Sequence, residues 1–286
     1  MHSTAVLRGM KHPKITLYSS IIVGVSNVIL SFLLAVIFDF GIQGIAIASS
    51  ISFLISAIYS TRILLTKQKE DDSRNVMVDK KEVRQKFFYV GFYIFIRSMF
   101  LTIFMAYLRN RASLMSMEEI ALQHVLLQLW SFGYVFVDAL AIAAQTLVSE
   151  YKTKFIDYKN SDLKQYLNKL TLRISIFLFI FSRIFLDILV TLITDKYLAQ
   201  LIDLELRILF GLSLLIGSFA FLWDGVLLGL DKSKEFSSLS VISSIIGFVS
   251  CSYLLNFENS LMSLWIGLNL SLVYRGLAGY LYQIRD

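Results

Sequence analysis

Charge is scarce in this sequence. Asp, Glu, Lys and Arg make up 17% of its 286 residues, while 56% are hydrophobic. Soluble domains carry about 25% charged residues. A soluble fold of this length has too little interior to hide so much apolar surface, and the mean hydropathy of +0.67 agrees. The class is membrane. Other scarcities narrow it further. The single cysteine, Cys251, excludes a disulfide framework within the chain. His2, His12 and His124 show no ligand spacing with it, so no zinc or haem site is indicated. One proline and 14 glycines exclude a loop-rich or disordered chain. There is no HExxH, GxSxG, paired-Asp metal motif or His-rich constellation, so neither an enzyme nor a cofactor is expected. Residues 1–14 lack the apolar core of a signal peptide.

What is present is a series of long apolar runs. A bilayer core of roughly 30 Å requires about 20 apolar residues per helix. Eight stretches qualify, near 15–37, 41–65, 87–108, 120–149, 167–193, 204–230, 236–256 and 260–283. Runs such as ISIFLFIFSRIFLDILVTLI are continuous rather than alternating, which excludes a β-barrel. The expected fold is an all-α, polytopic transmembrane helix bundle of about eight spans.

The net charge of +6 does not indicate a nucleic-acid partner, because the basic residues cluster in alternate connections. Segments 8–14, 62–86, 152–169 and 232–234, with Arg285, hold 19 Lys and Arg. The opposite side holds 4: Arg109, Arg111, Lys196 and Arg207. Basic residues favour the cytoplasmic side. Loops 66–86 and 152–166 are therefore expected in the cytoplasm, 109–118 and 195–203 outside, and both termini cytoplasmic, in a multi-pass protein of the plasma (inner) membrane. The longest polar connection, 66–86, divides the chain. We expect 1–65 to be the last two helices of one lobe, 66–86 a cytoplasmic linker, and 87–286 a six-helix lobe.

A repeat at an offset of 220 residues supports two lobes. Val6, Leu7, Gly9, Lys14, Ser20 and Ile22 recur as Val226, Leu227, Gly229, Lys234, Ser240 and Ile242. Each copy is a charged loop leading into two closing apolar helices, and transporters are often built from duplicated bundles. From Lys81 through Leu228 four helices lead into the second copy, and none leads into the first. The expectation is four more helices before Met1, so that the chain corresponds to helices 5–12 of twelve.

Several segments resemble the multidrug and toxic compound extrusion (MATE) family, specifically its DinF-like branch. AVLRGMKHPKITLYSSIIVGVSNVIL is similar to the family segment opening helix 5, and ALQHVLLQLWSFGYVFVDALAIAAQTLVSEY to helix 8. FLWDGVLLGLDKSKEF resembles the end of helix 10, and LVYRGL resembles helix 12. Asp138-Ala139 departs from the branch's frequent Asp-Gly, and Phe92 and Tyr93 stand where an Arg-Asp pair is common, although Arg97 is kept. The resemblance implies an inverted-V, two-lobe architecture with an incomplete N-terminal lobe. It also implies a secondary antiporter exporting organic, often cationic, compounds against H+ or Na+. The acidic residue of helix 1 to which coupling is usually attributed in this branch is outside this sequence. A lipid-linked saccharide flippase of the same superfamily and a non-transporting remnant are the alternatives.

Acidic groups in hydrocarbon are expensive, and those that persist often face a cavity and relay ions. Asp138 and Asp224 are the candidates, with Arg97 and Arg275 as intramembrane partners and Gln128 and Gln145 as cavity-lining residues on the helix of Asp138. The competing role for both carboxylates is structural, holding helices together through hydrogen bonds. Asp187 follows Arg183 by four residues, so an ion pair along one helix is expected there. Gly41, Gly44, Gly211 and Gly217 are expected at close helix contacts. The expected partners are a small-molecule substrate and the lipid bilayer, and we expect a monomer.

Overall fold

The computed structural model describes residues 13–71, 80–154, 158, 162–257 and 260–285, and no strand occurs among them. The elements in chain order are α1 (Pro13–Ser31), which continues as a π-helical stretch over Phe32–Ile37, α2 (Gly41–Asp71), α3 (Lys80–Ala112) and α4 (Met117–Thr153). They continue as α5 (Asp162–Ile193), the short α6 (Lys196–Gln200), α7 (Leu204–Gly229), α8 (Ser233–Leu255) and α9 (Leu261–Arg285). Eight of these helices are long and apolar enough to cross a membrane, the first including the π-helical stretch. The protein is a multi-pass, all-helical membrane protein.

The chain divides into two compact units, Met1–Asp79 and Lys80–Asp286. In the first, α1 and α2 pack as a hairpin held by polar pairs. Ser19 Oγ lies 2.6 Å from Ser56 Oγ, and Asn27 Nδ2 donates to Ser49 Oγ at 2.9 Å. Hydroxyl and amide bonds hold helices together where lipid offers no hydrophobic contrast. Gly44 and Gly41 serve different ends. A Cβ on Gly44 would stand 2.8 Å from the Leu34 carbonyl, so its absence lets α2 cross the π-helical stretch closely. Gly41 has open space around it and instead adopts φ +51° in the turn, where Asp39 also takes φ 56°. Close packing was the expectation for both; only Gly44 meets it.

The second unit is built around α7, which packs against α9, α4 and α5. Gly225 and Gly229 form a G-x-x-x-G face whose missing Cβ atoms make room for the α4 backbone carbonyls of Ala141 and Gln145. Gly211 and Gly217 make room for Phe179 and for the Tyr134 hydroxyl, as close-packing glycines should. The start of α4 follows from Ser116-x-x-Glu119. Ser116 Oγ accepts from Glu119 N at 3.3 Å, and Glu119 Oε2 accepts from Ser116 N at 3.1 Å, a reciprocal cap.

Both ends of the polar segment 66–86 are helical: α2 runs on to Asp71 and α3 begins at Lys80. The physical reason is composition, since Lys, Glu, Gln and Arg are good helix formers. The centre of that segment, 72–79, lies outside the described residues, as does the first half of the repeat copy at 6–12. The structural sign of the repeat is register. Pro13 and Ser233 begin one pair of helices and Gly41 and Leu261 the next, each pair 220 residues apart.

Candidate functional site

Helices α3 and α4 are consecutive, yet they scarcely touch: α3 leans on α8 and α4 on α7. Five helices bring polar side chains together where these elements converge. Asp224 of α7 is 6% exposed and Arg275 of α9 is 4% exposed. Arg275 grips the Asp224 carboxylate with two nitrogens, Nη2 on Oδ2 and Nε on Oδ1, the latter at 3.2 Å. Its guanidinium also lies 4.8 Å from the Phe221 ring centre. A planar guanidinium matches a carboxylate in this two-point manner.

Arg97 of α3 approaches from the other side. Its Nη2 is 3.7 Å from Asp224 Oδ2, its Nε donates to Ser240 Oγ of α8 at 3.2 Å, and it stacks 4.4 Å above the Phe236 ring. Asp138 of α4 is exposed and lies near enough to act electrostatically on Arg97. The cluster therefore contains two cations and two carboxylates. One carboxylate is locked in a buried pair; the other is accessible.

At the basic end of the same unit, Asp231 occupies the turn between α7 and α8 with φ 64°. Lys86 of α3 reaches it at 2.9 Å and Lys152 of α4 at 3.1 Å. Lys152 also donates to the Leu230 carbonyl at 2.9 Å. This latch joins α3 and α4 where their packing does not. The hydrogen bond from Lys86 is the main cause holding the Asp231 carboxyl below its ordinary range. A depressed carboxylate stabilises the fold above its unfolded pKa and loses that contribution as pH falls through the lowered value. Melting midpoints of the wild type and Asp231→Asn should therefore differ above about pH 4 and converge in stronger acid. Molar salt should shrink the difference, since the latch is half exposed. Parallel curves across the whole series would show that the latch contributes nothing.

No family model matches the chain. Over 277 residues it is 25% identical to Protein DETOXIFICATION 42 of Arabidopsis thaliana, covering 96% of this chain and 52% of that protein. An outward-facing multidrug resistance MATE family transporter of the MOP superfamily superposes with TM-score 0.83 at 16% identity, covering 99% of this chain and 64% of that one. A MOP superfamily transporter from Pyrococcus furiosus gives TM-score 0.81 at 17% identity, with the same coverage. A Vibrio cholerae MATE transporter gives 0.79 at 16% identity, again with that coverage. The chain has the MATE fold. It spans about half the length of the curated relative and about 64% of these solved structures.

Within this MATE fold the expected residues fall into distinct groups. Asp138, Asp224, Arg97 and Arg275 come together. Gln145 lies two turns beyond Asp138 on the same helical face and is half-buried. Gln128 is exposed and lies off that face. Asp187 pairs with Arg207 of α7 at 2.7 Å, rather than with Arg183 of its own helix. The reason is that a partner on a packed neighbour can meet the carboxylate head-on, whereas an i,i+4 pair depends on both side chains bending along one surface. Two participants lay outside sequence reasoning. Ser240 was visible only as a repeat match with Ser20, and Phe236 carried no signal beyond being aromatic. Gln123 was also missed: buried on α4, it accepts from Trp265 Nε1 at 2.9 Å and ties α4 to α9.

Proposed function

We propose that this protein is a secondary antiporter exporting organic cations in exchange for H+ or Na+, with Asp138 as the exchanging carboxylate. The observation that carries this reading is the division of labour in the cluster. Arg275 holds Asp224 in a buried pair, whereas Asp138 is exposed and, among the described residues, faces the charge of the neighbouring Arg97. A proton, a Na+ ion or an organic cation at Asp138 would each neutralise the same charge, so they compete for it. Arg97 then turns to its second carboxylate, Asp224, and to Ser240, both already within reach. Competition for one site with a displaced internal cation is the minimal chemistry of exchange.

The likeness to a protein named for detoxification and to a multidrug resistance transporter supports the efflux direction. The balance of two Arg against two Asp supports cations over the anionic cargo of a lipid-linked saccharide flippase. The positive-inside distribution supports both termini in the cytoplasm.

Asparagine matches aspartate in size and hydrogen bonding but cannot ionise. Asp138→Asn should therefore melt like the wild type, while gradient-driven transport in proteoliposomes falls by about tenfold or more, equivalent to about 1.4 kcal/mol. Wild-type rates in Asp138→Asn would remove Asp138 from the coupling role.

A further inference from the structure

A cavity of 540 Å³ lies between α5, α7 and α9. Its walls are almost wholly apolar, with Ile216, Phe219, Trp223 and Tyr280 among them, and one cation, Lys169, stands at its rim. Lys169 is exposed and makes no ion pair among the described residues. The floor includes Gly276, where an added Cβ would meet nothing closer than 3.8 Å. The groove therefore passes directly over backbone.

Depth in the membrane decides what fits. The last twenty residues of α5, 174–193, form its predominantly apolar stretch, interrupted by Arg183 and Asp187, and at 1.5 Å per residue they span about 30 Å, the full hydrocarbon core. The preceding turns carry Lys164, Lys169 and Arg173 and so project into the headgroup layer on the basic face. Trp223 and Tyr280 lie within two turns of the basic ends of α7 and α9, the level at which such amphipathic rings settle. Ile216 lies about 20 Å from the end of α7, near the bilayer midplane. The groove thus runs from headgroup depth to mid-membrane, with a positive charge at one end and hydrocarbon-lined walls beyond.

We propose that this groove is a binding site for an anionic phospholipid of the leaflet on the basic face. Lys169 meets the phosphate, Trp223 and Tyr280 flank the glycerol level, and one acyl chain lies over Gly276 against Phe219 and Ile216. A lysine at the headgroup level of the cytoplasmic leaflet attracts anionic lipid, and the apolar walls below it suit an acyl chain. The site is independent of the exchange proposed for Asp138, and none of its residues belongs to that cluster.

The test uses delipidated full-chain protein in a neutral detergent, with thermal melting followed as phosphatidylglycerol or phosphatidylcholine is added. Phosphatidylglycerol should raise the melting midpoint several degrees more than phosphatidylcholine, and free inorganic phosphate should do nothing. Lys169→Gln should abolish the difference between the lipids, and Lys169→Arg should restore it. Gly276→Ala, whose Cβ would meet nothing closer than 3.8 Å, should weaken both lipid shifts. Brominated phosphatidylglycerol should quench tryptophan fluorescence in the wild type and much less in Trp223→Phe, a readout that does not depend on stability. Equal shifts with both lipids, or undiminished discrimination in Lys169→Gln, would overturn the proposal. So would stronger protection by a hydrophobic cation than by phosphatidylglycerol, because the groove would then be a cargo site.

Discussion

Asp224→Asn should destabilise the second unit by about 3–5 kcal/mol, the usual result of removing one partner from a buried ion pair. The amide leaves Arg275, at 4% exposed, with an uncompensated charge among α7, α8 and α9. Arg97 adds a second cation 3.7 Å from the same carboxylate, so repulsion between the two guanidiniums adds to the penalty. Replacing both partners with apolar residues of similar size, Asp224→Leu with Arg275→Met, should cost far less than either change alone, because no orphaned charge remains. Thermal melting of the detergent-solubilised protein reads all three variants. The experiment also separates Asp224 from Asp138. Transport lost in Asp224→Asn should accompany lost folding, whereas transport lost in Asp138→Asn should not. An Asp224→Asn protein that melts like the wild type would mean that Arg275 finds another partner, and Asp224 would then return as a candidate for ion exchange.

Gly225→Ala should be comparably damaging through geometry alone. Its Cβ would press into the backbone carbonyl of Ala141, and no rotamer change relieves a backbone clash. Four residues on, a Cβ at Gly229 would stand 2.7 Å from the Gln145 carbonyl, so α7 cannot tilt away at one point without opening the other. Overpacking typically costs about 1–3 kcal/mol and more where the backbone must move, so the upper end or beyond is expected here. The control is Gly91→Ala, in α3 with nothing within 4 Å. It should stabilise by about 0.5–1 kcal/mol, since alanine is the better helix former. Opposite signs for one chemical change, read as shifts in melting midpoint, would establish that α4 and α7 meet backbone to backbone. Equal small effects would contradict the close contact.

The helices were legible because each span is a continuous apolar run, and the two closing pairs of the repeat begin 220 residues apart, as the matched residues suggested. Ends were less so. The helical continuation of α2 to Asp71 and of α3 back to Lys80 reflects helix propensity in water, which a hydropathy reading discards. The π-helical stretch at Phe32–Ile37 carries no compositional signal; what marks it is Gly44, whose bare backbone shapes the crossing. In the site, the four charged residues were legible as charges in hydrocarbon and the two Arg as partners of the two Asp, but which Arg holds which Asp was not. Which carboxylate is buried depends on the rotation of α4 and α7 about their axes. That rotation is set by Gly225 and Gly229 against Ala141 and Gln145, a contact between helices far apart in sequence. The same blindness produced the Arg183–Asp187 expectation: spacing shows what one helix can pair with itself, not what a neighbour offers.

Exchange is read most directly as accumulation in proteoliposomes. Wild-type protein should concentrate a fluorescent organic cation against its own gradient when an opposing H+ or Na+ gradient is imposed. Collapse of that gradient with the matching ionophore should release the accumulated cation. Equilibration of the cation at the same rate and to the same level with or without an ion gradient would exclude exchange.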